Sequence, residues 1–390
     1  MQHTLPPLTA RVQGPPIVAP GVREAALQYT FVGAPGDPPL SLRAFTLTHS
    51  GADTASLIDE RLFGTFGPTW WMQRKPYTFI MASEYDRLLP VHFILEPHGP
   101  RVDARSFTGK VEQLEAMQLD EIVCARDATV METRPRRGTV TLSWPQTPGE
   151  AQIRIRVQDV YGDTFREGQV LREFYGRLVA RRVDVMEREV RQVLPDLPLA
   201  EKTIHLEGKT LSNPLSHYEA LLSTRVQGTC SVIHGDLNLE NVLVGPGDLV
   251  WLIDFAATRE GHTLFDFARL EAELTTQVVA ERFVEVGLGI GDFLKVLERL
   301  DGGEVPASGV LGEAQIVLNA VRRIAGRCLF DPADAAELRY ALILAYLGTL
   351  KFVNLDQLPS APMPKVFAFT AAAYLLSQLI DSGPPSPGMS

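Results

Sequence analysis

Ser231-Val232-Ile233-His234-Gly235-Asp236-Leu237-Asn238-Leu239-Glu240-Asn241-Val242-Leu243-Val244 reads as an apolar β-type run, a polar turn-rich loop and a second apolar run. A further run, Leu249 to Ile253, ends in Asp254-Phe255-Ala256. Each run therefore delivers a polar group at its end. Asp236 comes first, Asn241 follows five residues later, and Asp254 lies thirteen residues beyond Asn241.

Phosphoryl transfer from a nucleotide asks for such groups. One carboxylate orients the acceptor hydroxyl and takes its proton, while an amide and a second carboxylate hold Mg²⁺ against the phosphates. Oxygen donors suit that hard cation. Asp236, Asn241 and Asp254 supply them in the order D-x-x-x-x-N, then D-F, the order of the catalytic and metal loops of kinase-like enzymes. His234 is read as a packing and hydrogen-bonding residue that braces the loop. Any one piece alone is an ordinary turn or strand end; the loop, the β-run after it and Ile253-Asp254-Phe255 at close range make the pattern specific.

The same residues resemble the aminoglycoside phosphotransferase and choline kinase branch of the protein-kinase-like superfamily, which carries H-G-D in place of H-R-D. A closer resemblance is to bacterial ternary-complex-associated kinase-like domains of multi-component systems. It rests on the quoted stretch, on Trp251-Leu252-Ile253-Asp254-Phe255-Ala256, and on Gly261-His262-Thr263-Leu264-Phe265-Asp266-Phe267-Ala268-Arg269-Leu270-Glu271. It is dense over 231–274 and looser over 26–97 and the C-terminal helices. The resemblance implies that Asp236 is the catalytic base, that Asn241 and Asp254 are Mg²⁺ ligands, and that Asp266 braces the catalytic loop by accepting from its backbone. Read from the residues alone, Asp266 is an acid opening a helix, where the dipole favours it, and a plain N-cap is an equal alternative.

Length sets the domain prior at about two or three domains. Hydrophobic residues make up 45% of the 390, enough for a packed core. The formal charge is −10, with a pI near 5.4, and no lysine- or arginine-rich run appears. This composition argues against nucleic-acid binding. Three dispersed cysteines, Cys124, Cys230 and Cys328, have no metal-ligand spacing and fit a reducing, cytoplasmic setting. No basic-then-apolar secretory pattern opens the chain. The apolar stretch Val366 to Ile380 is read as a buried bundle helix, not a membrane span.

Residues 1–24 are read as a proline-rich leader, and 25–97 as a hinge-like strand (Ala25 to Val32) followed by the first part of a kinase-like lobe. In that part Ser41 to Thr48 and Thr54 to Phe66 are expected helices, and Trp70-Trp71 a core pair. Residues 98–187 carry short alternating runs at Gly109–Leu114, Glu121–Ala125, Thr139–Trp144, Ala151–Val160 and Glu173–Val179, punctuated by Pro and Gly. They are expected to form a small OB-like β-barrel insertion. Its Arg134-Pro135-Arg136-Arg137 cluster is read as a solvated hairpin loop. Residues 188–381 are expected to be the helical kinase-like C-lobe with the catalytic and metal loops, and 382–390 a disordered tail.

The fold class expected is therefore α+β: a kinase-like C-lobe with an incomplete N-lobe and a β-barrel-like insertion. No G-x-G-x-x-G follows a strand, Gly287-Leu288-Gly289-Ile290-Gly291 reads as a linker, and no lysine precedes Lys75. The function expected is phosphotransfer from ATP with Mg²⁺ to a hydroxyl of an unidentified small molecule or protein. A catalytically weak or dead scaffold that binds protein partners is the alternative. A two-metal nuclease or hydrolase is disfavoured, because Asn241 would then have no role.

Overall fold

A computed structural model describes residues 38–382 except 115, 145–151 and 163, together with residues 9, 14, 15, 17, 18, 25 and 26. The fold is mixed α/β with two separate apolar cores. One core joins residues 42–89 to residues 186–379, and the other lies wholly within 93–178.

The second core fills a closed five-stranded barrel. Phe93–Pro97, Arg154–Val157, Thr139–Ser143, Ile122–Arg134 and Val170–Arg181 follow one another around it, and the last closes on the first. Phe93–Pro97 and Arg154–Val157 are parallel and the other neighbours antiparallel; Arg105–Phe107 adds alongside Ile122–Arg134. Period-2 alternation sends Leu95, Ile155, Val157 and Leu142 inward, leaving Arg154 and Arg156 on the outer face. The barrel takes in Phe93–Pro97, which lies before the expected boundary at 98. The expected strand at Gly109–Leu114 is instead a short 3₁₀ turn, Val111–Gln113. Gly109, at φ +79°, sits where a Cβ would strike the Trp144 ring, and the Gln113 side chain accepts from Thr108 N, ending any extended run there. The arginine-rich cluster is the exposed turn Pro135–Arg137 between two barrel strands.

The other core belongs to a helical lobe. Leu264–Leu274, Ala336–Thr349 and Met363–Asp381 are buried over nearly their whole length. Met363–Asp381 is apolar and long enough to cross a membrane, but 78% of that window is buried against the rest of the lobe, as a core helix is. Leu42–Thr48 forms as expected; the next expected helix appears as Gly51–Ser56, a π-helical run Leu57–Phe63, and Gly64–Phe66. Trp70 and Trp71 are both core residues. Ile17–Val18 pairs antiparallel with Ala25–Ala26, and Thr9 bridges Leu252. The rest of the expected leader and hinge-like strand, and residues 383–390 of the expected tail, lie outside the described residues.

Chain entry to and exit from the barrel meet at one point: Arg182 N donates to His92 O at 2.9 Å. The joint there is a buried charge cluster. Asp86 binds Arg182 (2.7 Å), Arg154 of the barrel (3.3 Å) and His92 (3.4 Å). A cleft of about 720 Å³ opens beside it between barrel and lobe, lined by Phe93, Met117, Ile153, Tyr218 and Leu222 among others.

Candidate functional site

The quoted stretch folds as a strand, a loop and a hairpin. Arg225–Ile233 lies between Lys75–Ile80 and Arg259–His262, antiparallel to both. Val242–Gly245 and Leu249–Leu252 form a hairpin, and Leu40–Ser41 pairs with its first strand. The two loops that carry the polar groups are stitched together at their backbones. Ile253 N donates to Asn241 O at 3.1 Å, and His234 Nε2 donates to Ile253 O at 2.8 Å. His234 is fully buried, lies 5.3 Å from the Phe255 ring, and has no partner for Nδ1 among the described residues.

Asp266, in the first turn of Leu264–Leu274, is also fully buried. Its carboxylate accepts from His234 N (2.7 Å), Gly235 N (2.9 Å) and Trp71 Nε1 (2.9 Å). Burial pushes this carboxyl up; His234 and the three N–H donors oppose that by favouring the ionised form. Of the two alternatives left by the sequence, the geometry is that of a brace on the loop, since the residues Asp266 ties down lie in another element. Thr263, not Asp266, occupies the helix N-cap.

Asp236 is half-exposed beyond this brace. Asn238 Nδ2 donates to its Oδ2 at 3.3 Å, and Arg269 Nη2 stands 3.8 Å from its Oδ1. Asn241 is buried and gives its Nδ2 to the Asp236 backbone oxygen at 2.9 Å, so its Oδ1 is left without a donor among the described residues. Asp254 is exposed, with no ion-pair partner among the described residues, and holds a left-handed backbone (φ 60°, ψ 69°). Such a conformation is uncommon for a non-glycine residue, though less so for Asp. An amide oxygen and a carboxylate, both without partners among the described residues and held on adjoining loops, suit a hard divalent cation. Among the described residues no group of three His, Cys, Asp or Glu side chains gathers as a metal cluster, so any such ion would rely on Asn241, Asp254 and ligands from outside the chain.

Sequence reasoning missed several residues. The sequence marks Trp71 only as a core residue, yet its indole N–H is part of the brace. Arg269 and Glu273 follow Asp266 at three- and seven-residue steps, which puts all three on one helix face. Arg269 binds Glu273 at 2.8 Å and stacks 4.6 Å above the Phe352 ring. Burial pushes the Glu273 carboxyl up, and Arg269 opposes it. The helical spacing was visible in the sequence; the approach of Phe352 was not.

Comparison with curated proteins and with solved structures gives no match. The sequence profile of one family spans residues 23–351, covering the first helices, the barrel, the braced loop and most of the helical lobe. The chain belongs to the ternary complex associated domain 9 family.

Proposed function

We propose that this chain is a kinase-like phosphotransferase that uses ATP and Mg²⁺ to phosphorylate a hydroxyl of a small molecule or protein. The observation that carries the reading is the Asp266 carboxylate receiving both His234 N and Gly235 N. It fixes the loop so that Asp236 projects from a rigid base, which is what a catalytic carboxylate needs. Asp236 would accept the acceptor's hydroxyl proton. Asn241 Oδ1 and the Asp254 carboxylate would hold the cation, which supplies charge neutralisation for the phosphates. His234 and Asp266 would act only through the loop they position.

A scaffold reading has its own support. The barrel has a separate core and joins the lobe at one point, as a module for binding a protein partner would, and the family's description speaks of a ternary complex. One experiment separates the two. Mn²⁺ replaces Mg²⁺, and paramagnetic broadening of the ATP phosphorus resonances reports a bound metal–nucleotide complex. Broadening that depends on the protein and disappears in Asp254→Ala supports phosphotransfer. Absence of protein-dependent broadening, or its persistence in the variant, overturns the metal assignment and leaves the scaffold.

A further inference from the structure

The barrel strand Arg154–Val157 turns Ile155 and Val157 into the barrel and presents Arg154 and Arg156 on its outer face. Arg154 Nη2 reaches Leu89 O at 3.3 Å. Lys351 Nζ, at the end of the Ala336–Thr349 helix, reaches the same oxygen at 3.4 Å and Arg87 O at 3.1 Å. Two cationic groups from different parts of the chain therefore share one carbonyl. The next residue, Phe352, has both Lys351 Nζ (5.5 Å) and the Arg269 guanidinium (4.6 Å) over its ring, and Arg269 reaches toward Asp236. A continuous row of cations runs from the barrel to the loop carrying Asp236.

This row is short of counter-charge. Asp86 serves both Arg154 and Arg182, and Glu273 serves Arg269. Among the described residues Arg156 makes no hydrogen bond or ion pair and has only the charge of Glu132 near it, and Lys351 has only the two backbone carbonyls and the Phe352 ring. Arg154 Nε and Arg269 Nε are buried N–H groups without acceptors among the described residues. Uncompensated buried cations are costly, and such an excess within a chain of net charge −10 calls for an anion. Guanidinium forks beside an ammonium suit a phosphate, which accepts from several donors at once.

We propose that the junction of Arg156, Lys351 and the flanking guanidinium groups of Arg154 and Arg269 is an anion subsite that takes the phosphate of a small phosphomonoester. As an acceptor subsite it rests on the phosphotransfer reading: a molecule anchored there by its phosphate would present a hydroxyl toward Asp236. The substrate class is then a phosphorylated polyol or sugar, whose compact dianion matches the few donors gathered where the barrel strand meets Lys351. A long phosphodiester chain would need an extended basic track instead.

The test is titration of the full chain with inorganic phosphate at constant ionic strength, followed by calorimetry. Saturable binding is expected, weakened about tenfold or more in Lys351→Met and in Arg156→Met. Lys351→Arg should keep most of the affinity, and Arg172→Met, remote on the barrel, all of it. No saturable binding, or binding as tight as the parent's in the methionine variants, overturns the subsite. Circular dichroism and the Lys351→Arg protein separate loss of binding from loss of fold. Asp254→Ala should bind phosphate as the parent does. If it does while protein-dependent broadening of metal–ATP is absent in the parent, the subsite stands and the phosphotransfer reading fails. Tighter binding of a single-stranded oligonucleotide than of glycerol phosphate would overturn the small-phosphomonoester assignment.

Discussion

Gly235 and Ala257 are so close that a Cβ added to Gly235 would lie 2.2 Å from the Ala257 carbonyl oxygen. Gly235 belongs to the loop that presents Asp236, and Ala257 to the short 3₁₀ turn Phe255–Ala257 just after Asp254. The spacing of the two candidate loops thus depends on a missing side chain. Gly235 also has φ +80°, which an L side chain adopts only with strain. Gly235→Ala should lower stability by about 3 kcal/mol, combining the backbone cost with the clash. It should also reduce metal–ATP broadening more than Leu237→Met, a conservative change in the same loop. A thermal melt equal to the parent would show that the loops can part freely.

The Asp266 brace predicts a graded series. Asp266→Asn keeps shape but offers one acceptor oxygen where two serve three donors, so buried N–H groups lose partners. The loss should be about 2–4 kcal/mol by denaturant titration. Trp71→Phe removes one donor and keeps most of the packing, and should cost about 1–2 kcal/mol. The reverse order of severity would mean that the indole packing, rather than the carboxylate, holds the loop.

Local and long-range features were not equally legible in the sequence. The β-type runs and the loop over 231–253 follow from nearby residues: short apolar runs flank a polar, turn-rich loop. The barrel strands were largely legible for the same reason, since alternation declares an inward face. Gly109–Leu114 misled because its apolar spacing also fits a turn, and the Trp144 ring that fixes Gly109 is distant in sequence. The joint was not legible at all. Asp86, Arg154 and Arg182 are ordinary charged residues until the fold brings them together, and Lys351 acquires its setting only when the barrel strand docks beside Leu89. Charges matched across such separations leave no periodicity to read.

Lys351 gives a pH signature. Burial, then the guanidinium groups of Arg154, Arg269, Arg182 and Arg156, push its ammonium down to about 7 from an ordinary value of 10.5. Between those values the unfolded chain holds a proton that the folded chain has released, so stability should rise with pH over that window. Below about pH 7 both states are protonated and the folded state bears the full repulsion. Lys351→Met should therefore gain most on the parent near pH 6 and least near pH 10. The comparison is made by urea titration at each pH; a constant offset would show that the lysine does not titrate in this range.

The opposite end of the scale belongs to His92. Burial first, and then Arg182, hold its imidazolium form down to about 3, against the favourable charge of Asp86. Arg154 N donates to Nδ1 at 3.2 Å, which fits a neutral ring whose Nε2–H faces Asp86. Burial alone would raise the Asp86 carboxyl, but Arg182, His92 and Arg154 hold it below its ordinary value. The unfolded chain takes up a proton at His92 below about pH 6.5 while the folded chain does not, so stability is lost as pH falls from there toward 3. Asp86 adds a further loss below its unfolded value of 3.8. His92→Gln should flatten the decline between pH 6 and 4 and leave the steeper loss below it. An unchanged slope would place the acid sensitivity elsewhere.

The barrel can be tested as a unit because its two ends meet. Phe93 pairs with Arg181 in the sheet, and His92 O accepts from Arg182 N, so a short glycine–serine link can replace residues 93–181 without moving either flank. The two apolar cores share no residue, and excision therefore leaves the core of the helical lobe whole. What is lost is Arg154, one of the two arginines on Asp86, while Arg182 stays to neutralise that carboxylate. The shortened chain should unfold in one cooperative transition, with helical circular dichroism and a melting temperature lowered by several degrees, about 1–2 kcal/mol for the lost partner. It should also lose phosphate binding, since Arg156 leaves with the barrel, while metal–ATP broadening persists. Failure of the shortened chain to fold cooperatively would mean that the joint around Asp86, rather than the two separate cores, sets the stability of the whole molecule.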